Sequence, residues 1–386
     1  SLKRVCAFRC HQALLMTLPD GTSVRLGHPK AHQTAQIHIH HNWFFRELLQ
    51  SGEIGLGESY MKGLWDSPDI SAVVSFFIEQ APALKSQKYG MRLFKWGHAI
   101  LHTLNRNSRK KAKENIAEHY DLGNDFYRLF LDASMTYSAA YFTAPSDSLE
   151  TAQQQKYARL AELLNPKQDQ HILEIGSGWG SMALFLARTY HCKVTTLTLS
   201  TAQYNYVTQR LQQEGLADRV SVQLCDYRDM KGTFDHVVSI EMIEAVGARY
   251  LPIYFKTLNS LLKPGGRIAL QAIIYPDASY AHYTRSSDFI RKHIFPGGHL
   301  PSLGHITHCL NKETQLQITD RFNIASSYAR TLSQWHDRFI NQETAIKEMG
   351  FNTVFFRKWC YYFKLCEAAF NTDYLATYQL QLQKKQ

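Results

Sequence analysis

A glycine-rich loop preceded by an acid is the part of this sequence best suited to bind a reactive small molecule. An apolar run leads into Leu173-Glu-Ile-Gly-Ser-Gly-Trp-Gly180. Gly176, Gly178 and Gly180 let the backbone turn tightly and approach a ligand without an intervening Cβ. Glu174, two residues before the first glycine, is suited to hold an ammonium group. The loop therefore predicts a site for a ligand with an amino acid end.

Two further features separate this loop from a nicotinamide-binding loop. Its glycines follow G-x-G-x-G rather than G-x-G-x-x-G, and no acid ends the next strand-like run to bind an adenosine ribose. In Cys225-Asp-Tyr-Arg228, Asp226 suits the exocyclic amine of adenine and Tyr227 suits stacking on its ring. A glycine helix stop follows in Leu261-Leu-Lys-Pro-Gly-Gly266. In this order and spacing, these features predict a site for S-adenosylmethionine.

Two acids further along the chain have the spacing of a coupled pair. Glu241 lies three residues before Glu244, so a helical turn would place both carboxylates on one face. A close pair raises the pKa of one member, and a carboxylate with a raised pKa is a better base near neutral pH. The alternative for Glu241 is a solvated or salt-bridged acid at a strand end.

From about residue 150, strand-like runs alternate with helix-length segments. This alternation predicts βαβ units in a mainly parallel sheet, with the ligand at the carboxyl ends of the strands. The strand-like runs are His171–Ile175, Lys193–Leu199, Val220–Leu224, His236–Ile240 and Arg267–Ile274, and the helical segments include Ser181–Tyr190, Ala202–Glu214 and Arg249–Leu262.

Residues 1–80 have a different pattern of short apolar runs, such as Ala13–Leu18, that alternate with polar residues. The segment Gly52-Glu-Ile-Gly-Leu-Gly57, followed by Trp65-Asp-Ser-Pro68, predicts a small α+β unit with turn glycines. A helix is predicted to begin within 70–81. The chain is thus divided into a small α+β domain at 1–80, a basic helix at 81–113 and the ligand-binding domain at 114–386.

The basic segment from Lys85 to Lys113 has no acidic residue and interleaves its cations with aromatic and aliphatic side chains. As an amphipathic helix it would lie on anionic lipid, where each cation contributes about 1 kcal/mol. A solvated linker helix with one core face, or a surface for single-stranded nucleic acid, is an alternative.

Composition places the chain among packed globular proteins. It has 386 residues, 45% of them hydrophobic, and a net charge of +10, which predicts two domains and an anionic partner surface. Seven cysteines without a C-x-x-C pair fit a reducing cytosol. Asp20 and the polar residues after it argue against a signal peptide, and no apolar run approaches the ~20 residues that cross a bilayer. No metal is predicted, because His38, His40 and His41 have the alternation of a strand surface.

Taken together, the motifs of nearly the whole chain resemble those of the cyclopropane fatty acid synthases. The resemblance is carried by His119-Tyr-Asp-Leu-Gly-Asn-Asp-Phe126, Met135-Thr-Tyr-Ser-Ala-Ala-Tyr141, the loop 173–180, Asp226-Tyr-Arg-Asp229, Val238-Ser-Ile-Glu-Met-Ile-Glu-Ala-Val-Gly247, Ile294-Phe-Pro-Gly-Gly298 and Tyr328-Ala-Arg-Thr-Leu332. It implies a Rossmann-like class I methyltransferase with a mainly parallel seven-stranded sheet, preceded by a small α+β lipid-binding domain. It also implies an unsaturated phospholipid substrate, a homodimer and a peripheral position on the cytoplasmic face of a membrane.

The resemblance assigns roles to particular residues. The implied cofactor residues are Tyr137, Ser138, Glu174, Gly176, Gly178, Trp179, Gly180, Thr198, Gln203, Asp226 and Tyr227, with Gln203 making the ribose contact. The implied reaction is attack of an alkene on the sulfonium methyl, which leaves a carbocation. Loss of a proton from the new methyl closes a cyclopropane, and loss from a neighbouring carbon leaves a methylated alkene.

In this family the base is a bicarbonate ion in a cage of hydrogen-bonding groups. Glu244, Tyr328 and the backbone of Ile273 match that cage, whereas Ala139 replaces a cysteine and Gln271 replaces a histidine. Loss of one donor to a buried anion costs about 1–3 kcal/mol. We therefore predict methyl transfer with either a cyclopropane or a methyl-branched or methylene product, and weaker or altered bicarbonate binding.

Two rival functions use the same fold. A nucleic acid methyltransferase would carry Asp/Asn-Pro-Pro-aromatic or Pro-Cys, but this chain has Ser239-Ile-Glu-Met-Ile-Glu244. A non-catalytic lipid-binding protein would explain the two altered cage positions. The missing motifs argue against the nucleic acid enzyme, and the intact Glu174 loop and Glu244 argue against the non-catalytic protein.

Overall fold

The computed structural model describes residues 12–27, 31, 33–85 and 122–384. The strands are β1 (Gln12–Thr17), β2 (Ser23–Gly27), β3 (Gln33–Ile39), β4 (Trp65–Asp66), β5 (His171–Ile175), β6 (Lys193–Thr198), β7 (Val220–Leu224), β8 (Phe234–Ile240), β9 (Leu262–Ile274), β10 (Leu316–Asn323) and β11 (Ala376–Lys384). The α-helices are α1 (Trp43–Ser51), α2 (Glu53–Met61), α3 (Ile70–Lys85), α4 (Asn124–Arg128), α5 (Leu149–Leu164), α6 (Ser181–Tyr190), α7 (Thr201–Gln213), α8 (Leu251–Leu261), α9 (Asp277–Tyr283), α10 (Phe289–His293), α11 (Leu303–Glu313), α12 (Ala325–Ile340), α13 (Glu343–Glu348) and α14 (Thr353–Asn371).

The chain divides into two compact units that differ from the contiguous division expected from the sequence. The first unit contains Ser1–Leu104, Arg285–Ile294 and Leu332–Tyr374, and the second contains Asn105–Thr284, Phe295–Thr331 and Leu375–Gln386. The predicted basic helix falls outside the described residues apart from its first five positions, 81–85, which belong to α3. Its contact with lipid stays a prediction.

The second unit is built on a seven-stranded sheet in the order β10-β11-β9-β8-β5-β6-β7. Strands β5 to β9 pair with one another in parallel, and β11 pairs antiparallel with both β9 and β10. Two buried apolar clusters pack on this sheet. The predicted mainly parallel seven-stranded fold is confirmed. Its parallel strands place the loops after β5, β6, β7 and β8 at one edge.

Serine caps fix the starts of two helices, α5, which precedes β5, and α7, which follows the loop after β6. Ser148 and Ser200 accept hydrogen bonds from the backbone N–H groups of Thr151 and Gln203, at the starts of α5 and α7. A serine at this position satisfies an N–H that has no partner within the helix, which contributes roughly 1 kcal/mol. Helix α7 therefore begins directly beyond the carboxyl end of β6, where Gln203 was predicted to contact the ligand.

The first unit contains a four-stranded sheet in the order β2-β1-β3-β4, with β1 parallel to β3. Its aromatic core surrounds Trp65, which is fully buried and lies beside the rings of Phe44, Tyr60 and Tyr361. Arg357 from α14 reaches the same place, 3.8 Å from the centre of the Tyr60 ring. This confirms the predicted small α+β unit and adds to it a helix from near the end of the chain.

The prediction of turn glycines between residues 52 and 57 is wrong for two of the three. Only Gly52, with φ +56°, lies between helices, whereas Gly55 and Gly57 are buried inside α2. A Cβ on Gly55 would collide with the carbonyl oxygen of Glu47, and one on Gly57 would collide with the ring of Phe289. Here the glycines allow close helix packing, which their spacing alone does not distinguish from turns.

Among the described residues, no helix combines the length and the apolar character needed to cross a membrane.

Candidate active site

A cavity of about 190 Å³ lies in the second unit at the carboxyl ends of the parallel strands. Its wall includes Tyr137, Ser138, Glu174, Gly176, Gly178, Trp179, Thr198, Gln203, Asp226, Tyr227 and Glu241. Every predicted cofactor residue except Gly180 is therefore brought to one cavity, and Gly180 immediately precedes α6. Their roles as ligands stay predictions.

The glycine loop has the backbone that its sequence predicted. Gly176 and Gly180 have φ values of +92° and +91°, in the region that favours glycine. A Cβ on Gly176 would lie 3.1 Å from Cγ of Met242, and one on Gly180 would lie 3.2 Å from the methyl groups of Val207. Both the backbone conformation and the close neighbours therefore select glycine at these positions.

Glu174 is the acid nearest to this loop, and it is almost completely buried. Its Oε2 atom accepts a hydrogen bond of 2.5 Å from Oγ1 of Thr196. Burial raises the pKa of Glu174 to about 8, although this hydrogen bond and the charge of Lys156 lower it. A buried carboxylate of this kind is stabilised by a ligand cation, so the site fits a cofactor with an ammonium group.

Lys156 also lines the cavity, and sequence reasoning missed it. Its Nζ atom donates to Oγ of Ser138 at 2.8 Å, and burial lowers the pKa of this amine to about 7. The spacing in α5 could have indicated its burial, because Lys156 lies four residues before the buried Leu160 and so shares its face. A lysine in an otherwise amphipathic helix usually lies on the surface, and this hid its position.

Asp226 and Gln203 are both held in place by neighbouring side chains. The carboxylate of Asp226 accepts hydrogen bonds from Nε of Arg228 at 2.8 Å and from Nη2 of Arg228 at 2.5 Å. Oε1 of Gln203 accepts from Oγ1 of Thr198 at 2.8 Å. Arg228 was not predicted, and it fixes the orientation of the carboxylate that was expected to contact adenine.

Three of the predicted catalytic positions converge on Glu241. Its Oε1 accepts from the backbone N–H of Ala139 and from Nε2 of Gln271, and its Oε2 accepts from the hydroxyl of Tyr328. All three distances are 2.8 Å. The alternative of a solvated or salt-bridged acid is therefore wrong, because uncharged donors bind both oxygens.

Glu244 lies beside this cluster and has fewer donors. Its Oε1 accepts from the backbone N–H of Ile273 at 2.6 Å, and its buried Oε2 has no hydrogen-bond partner within the described part of the chain. Burial and the charge of Glu241 raise the pKa of Glu244 to about 8. Since three donors stabilise an ionised Glu241 and one stabilises an ionised Glu244, Glu244 is the member of the pair that protonates more readily.

The groups that were predicted to bind bicarbonate thus already form hydrogen bonds within the protein. Tyr328 and Gln271 donate to Glu241, and the N–H of Ile273 donates to Glu244. Nε2 of Gln271 also donates to the carbonyl oxygen of Ala139 at 3.2 Å, so both of its protons are engaged. Gln379 on β11, which was not predicted, donates to Oε1 of Gln271 at 2.9 Å and fixes the amide. These residues do not fit an additional bicarbonate.

A glycine loop, a buried acid and a cavity at the carboxyl edge of this sheet define a class I S-adenosylmethionine-dependent methyltransferase. Residues 107–380 match the family model described as mycolic acid cyclopropane synthetase, and the chain belongs to that family.

Relatives and solved structures agree with this assignment. The chain is 38% identical to tuberculostearic acid methyltransferase UfaA1 of Mycobacterium tuberculosis, over 96% of this chain and 87% of the relative. It is 34% identical to cyclopropane-fatty-acyl-phospholipid synthase of Escherichia coli strain K12, over 90% of this chain and 87% of the relative. The structure of mycolic acid cyclopropane synthase CmaA1 complexed with SAH and CTAB is similar, with a TM-score of 0.65 and 28% identity, over 70% of this chain and 98% of that chain. S-adenosylmethionine is the cofactor.

Binding of S-adenosylmethionine is expected to release a proton at pH 7 and to tighten as the pH rises towards 8. The pKa of Glu174 is about 8, so this carboxyl is mostly protonated at pH 7, and an ammonium group selects its ionised form. Below that pKa, affinity should rise by up to roughly tenfold per pH unit. Calorimetry in buffers of different ionisation enthalpy measures the proton. Binding without proton release would show that Glu174 does not hold the cofactor.

Proposed function

We propose that this enzyme transfers a methyl group from S-adenosylmethionine to the cis double bond of an unsaturated phospholipid acyl chain. The observation that carries the proposal is the pair Glu241 and Glu244 beside the cofactor cavity, because methylation of an alkene requires a base for the resulting cation. The names of two relatives, cyclopropane-fatty-acyl-phospholipid synthase of Escherichia coli and "Probable fatty acid methyltransferase" of Pseudomonas putida, support a lipid substrate.

The cofactor supplies an electrophilic methyl group, and the chain supplies everything that follows. Glu174 would hold the amino acid end beside the glycine loop, and Gln203 and Asp226 would hold the nucleoside. The carboxylate cluster takes the proton that the methylated chain must lose. We infer that the product is either a cyclopropane or a methyl-branched or methylene chain, because Ala139 and Gln271 stand where the family has cysteine and histidine.

The same proposal places the enzyme peripherally on the inner face of an anionic phospholipid membrane. The net charge of +10 and the run of cations from Lys85 to Lys113 support this location. A homodimer is part of the proposal only through the family resemblance.

The product is expected to carry one extra carbon from the methyl donor. Trideuteromethyl-labelled cofactor, phospholipid vesicles with cis-unsaturated chains and mass spectrometry of the lipids provide the test. Ring closure removes a deuteron from the new methyl, so a cyclopropane retains two deuterium atoms, and so does a methylene chain, whose double bond includes the transferred carbon. Proton loss from a neighbouring chain carbon gives a methyl-branched alkene that keeps all three. Hydrogenation before mass spectrometry separates the methylene chain, which takes up hydrogen at its double bond, from the cyclopropane. Absence of label from every unsaturated lipid would contradict the proposed function.

A further inference from the structure

The contacts of Glu241 indicate a role beyond that of one acid in a coupled pair. Three residues at positions predicted to surround a bound anion donate hydrogen bonds to Glu241 instead. The donors are the backbone N–H of Ala139, Nε2 of Gln271 and the hydroxyl of Tyr328. A carboxylate and a bicarbonate each present a planar O–C–O group that accepts hydrogen bonds, so they compete for the same donors. We infer that Glu241 is the catalytic base that removes the proton from the methylated acyl chain, and that no free bicarbonate takes part. This inference rests on the proposed function.

The backbone at Glu241 shows how its carboxylate reaches these donors. Its φ is +48°, in the left-handed region that glycine adopts readily and that costs other residues roughly 1–2 kcal/mol. Its N–H donates to the carbonyl oxygen of Gln271 at 2.8 Å, which anchors this turn to β9. The backbone is therefore strained at the end of β8, and this conformation places the carboxylate of Glu241 on the cavity wall.

The neighbouring charges favour an ionised Glu241. Glu244 has fewer hydrogen-bond donors and protonates more readily than Glu241, and Lys156 contributes an attractive charge to Glu241. Burial nevertheless raises the pKa of Glu241 above its ordinary value. An ionised carboxylate with a raised pKa is a stronger base than a carboxylate in water.

The proposed step balances without a further reactant. A C–H bond of the new methyl group breaks, and its proton forms an O–H bond with Glu241. The electron pair left behind forms the third bond of the ring and neutralises the carbocation. If the C–H bond belongs to a neighbouring chain carbon, the same pair forms a double bond. Glu241 becomes a neutral carboxyl and returns its proton to solvent before the next turnover.

The test compares the wild type with Glu241→Gly and Glu241→Gln in carbonate-free buffer, with and without added bicarbonate. Glycine suits the positive φ and empties the space among the donors, whereas glutamine fills it without a base. General base catalysis contributes about 10²–10⁴-fold, so both variants should lose at least about 100-fold in turnover. Bicarbonate should restore at least about tenfold to Glu241→Gly and nothing to Glu241→Gln. The wild type should be unaffected, as should Glu162→Gln, a control at an exposed acid of α5.

A second readout does not depend on turnover. ¹³C NMR of labelled bicarbonate should show binding to Glu241→Gly and none to the wild type, with S-adenosylmethionine binding checking that each variant is folded. A wild type that requires bicarbonate, or a Glu241→Gly variant that keeps its full rate without it, would overturn the inference. A wild type that methylates no lipid would instead overturn the proposed function. If Glu241→Gly fails to fold, bicarbonate independence of the wild type with loss of turnover in Glu241→Gln supports the inference, and the reverse overturns it.

Discussion

Replacing Glu174 by glutamine should nearly abolish binding of S-adenosylmethionine. The carboxylate lies almost completely buried on the cavity wall, where an ammonium group of the ligand would be its partner. Removing one member of a buried charge pair costs about 3–5 kcal/mol, which corresponds to an affinity roughly a hundred to a few thousand times weaker. Glutamine preserves the size of the side chain and can still accept a hydrogen bond from Thr196, so the fold should be retained. Isothermal titration calorimetry measures the loss.

Glu162→Gln provides the matched control, because it makes the same chemical change at an exposed position of α5. Its affinity for the cofactor should equal that of the wild type. The proton released on binding should disappear in Glu174→Gln and persist in Glu162→Gln. An affinity of Glu174→Gln within about threefold of the wild type would place the amino acid end of the cofactor elsewhere in the cavity.

Replacing Gly55 by alanine should destabilise the first unit, against the ordinary effect of this substitution in a helix. Alanine is better than glycine in a helix interior by about 1 kcal/mol. At Gly55, however, the added Cβ collides with the backbone carbonyl of Glu47, and backbone cannot move as a side-chain end can. Overpacking costs about 1–3 kcal/mol, and a collision with backbone belongs at the upper end of that range. After the gain of about 1 kcal/mol for alanine in a helix, we expect a net loss of roughly 1–2 kcal/mol in the free energy of unfolding. Chemical denaturation followed by tryptophan fluorescence measures it.

Gly63→Ala separates this collision from a general effect of the substitution. Gly63 has a φ of +70°, and a Cβ there would contact nothing within 4 Å. Only the conformational cost of about 1 kcal/mol applies at that position. If Gly55→Ala proves as stable as the wild type or more so, α1 and α2 do not pack as closely as the structure shows.

The parallel half of the sheet was predictable because its strands are short apolar runs separated by helix-length segments. Strands β10 and β11 were not predicted. Five of the eight residues of β10 are polar or charged and most are exposed, which obscures its strand pattern. In β11, Leu380 and Leu382 alternate with glutamines, a strand pattern that sequence reasoning missed. In the first unit, the sequence does not reveal that α14 packs with α2 and α3, because those contacts span most of the chain.

The site was predictable where local sequence determines local backbone. The glycine loop and the acid before it lie at one cavity as expected. Lys156 and Gln379 were missed because their burial depends on what packs on α5 and β11. The role of Glu241 was open in the sequence, since only the structure shows the donors of Ala139, Gln271 and Tyr328 around one carboxylate.

The discontinuous first unit has a consequence for synthesis of the protein. Helix α14 packs against α2 and α3, but its residues leave the ribosome some 270 positions after Leu104, since the unit resumes at Arg285 and ends at Tyr374. At about 5–20 residues per second this interval lasts on the order of 15–50 s. During that time the apolar side chains that will pack around Trp65 are exposed in the nascent chain, because α14 has not yet been synthesised. Chaperone engagement should therefore be concentrated in this interval, and an N-terminal fragment ending near residue 104 should aggregate when expressed alone.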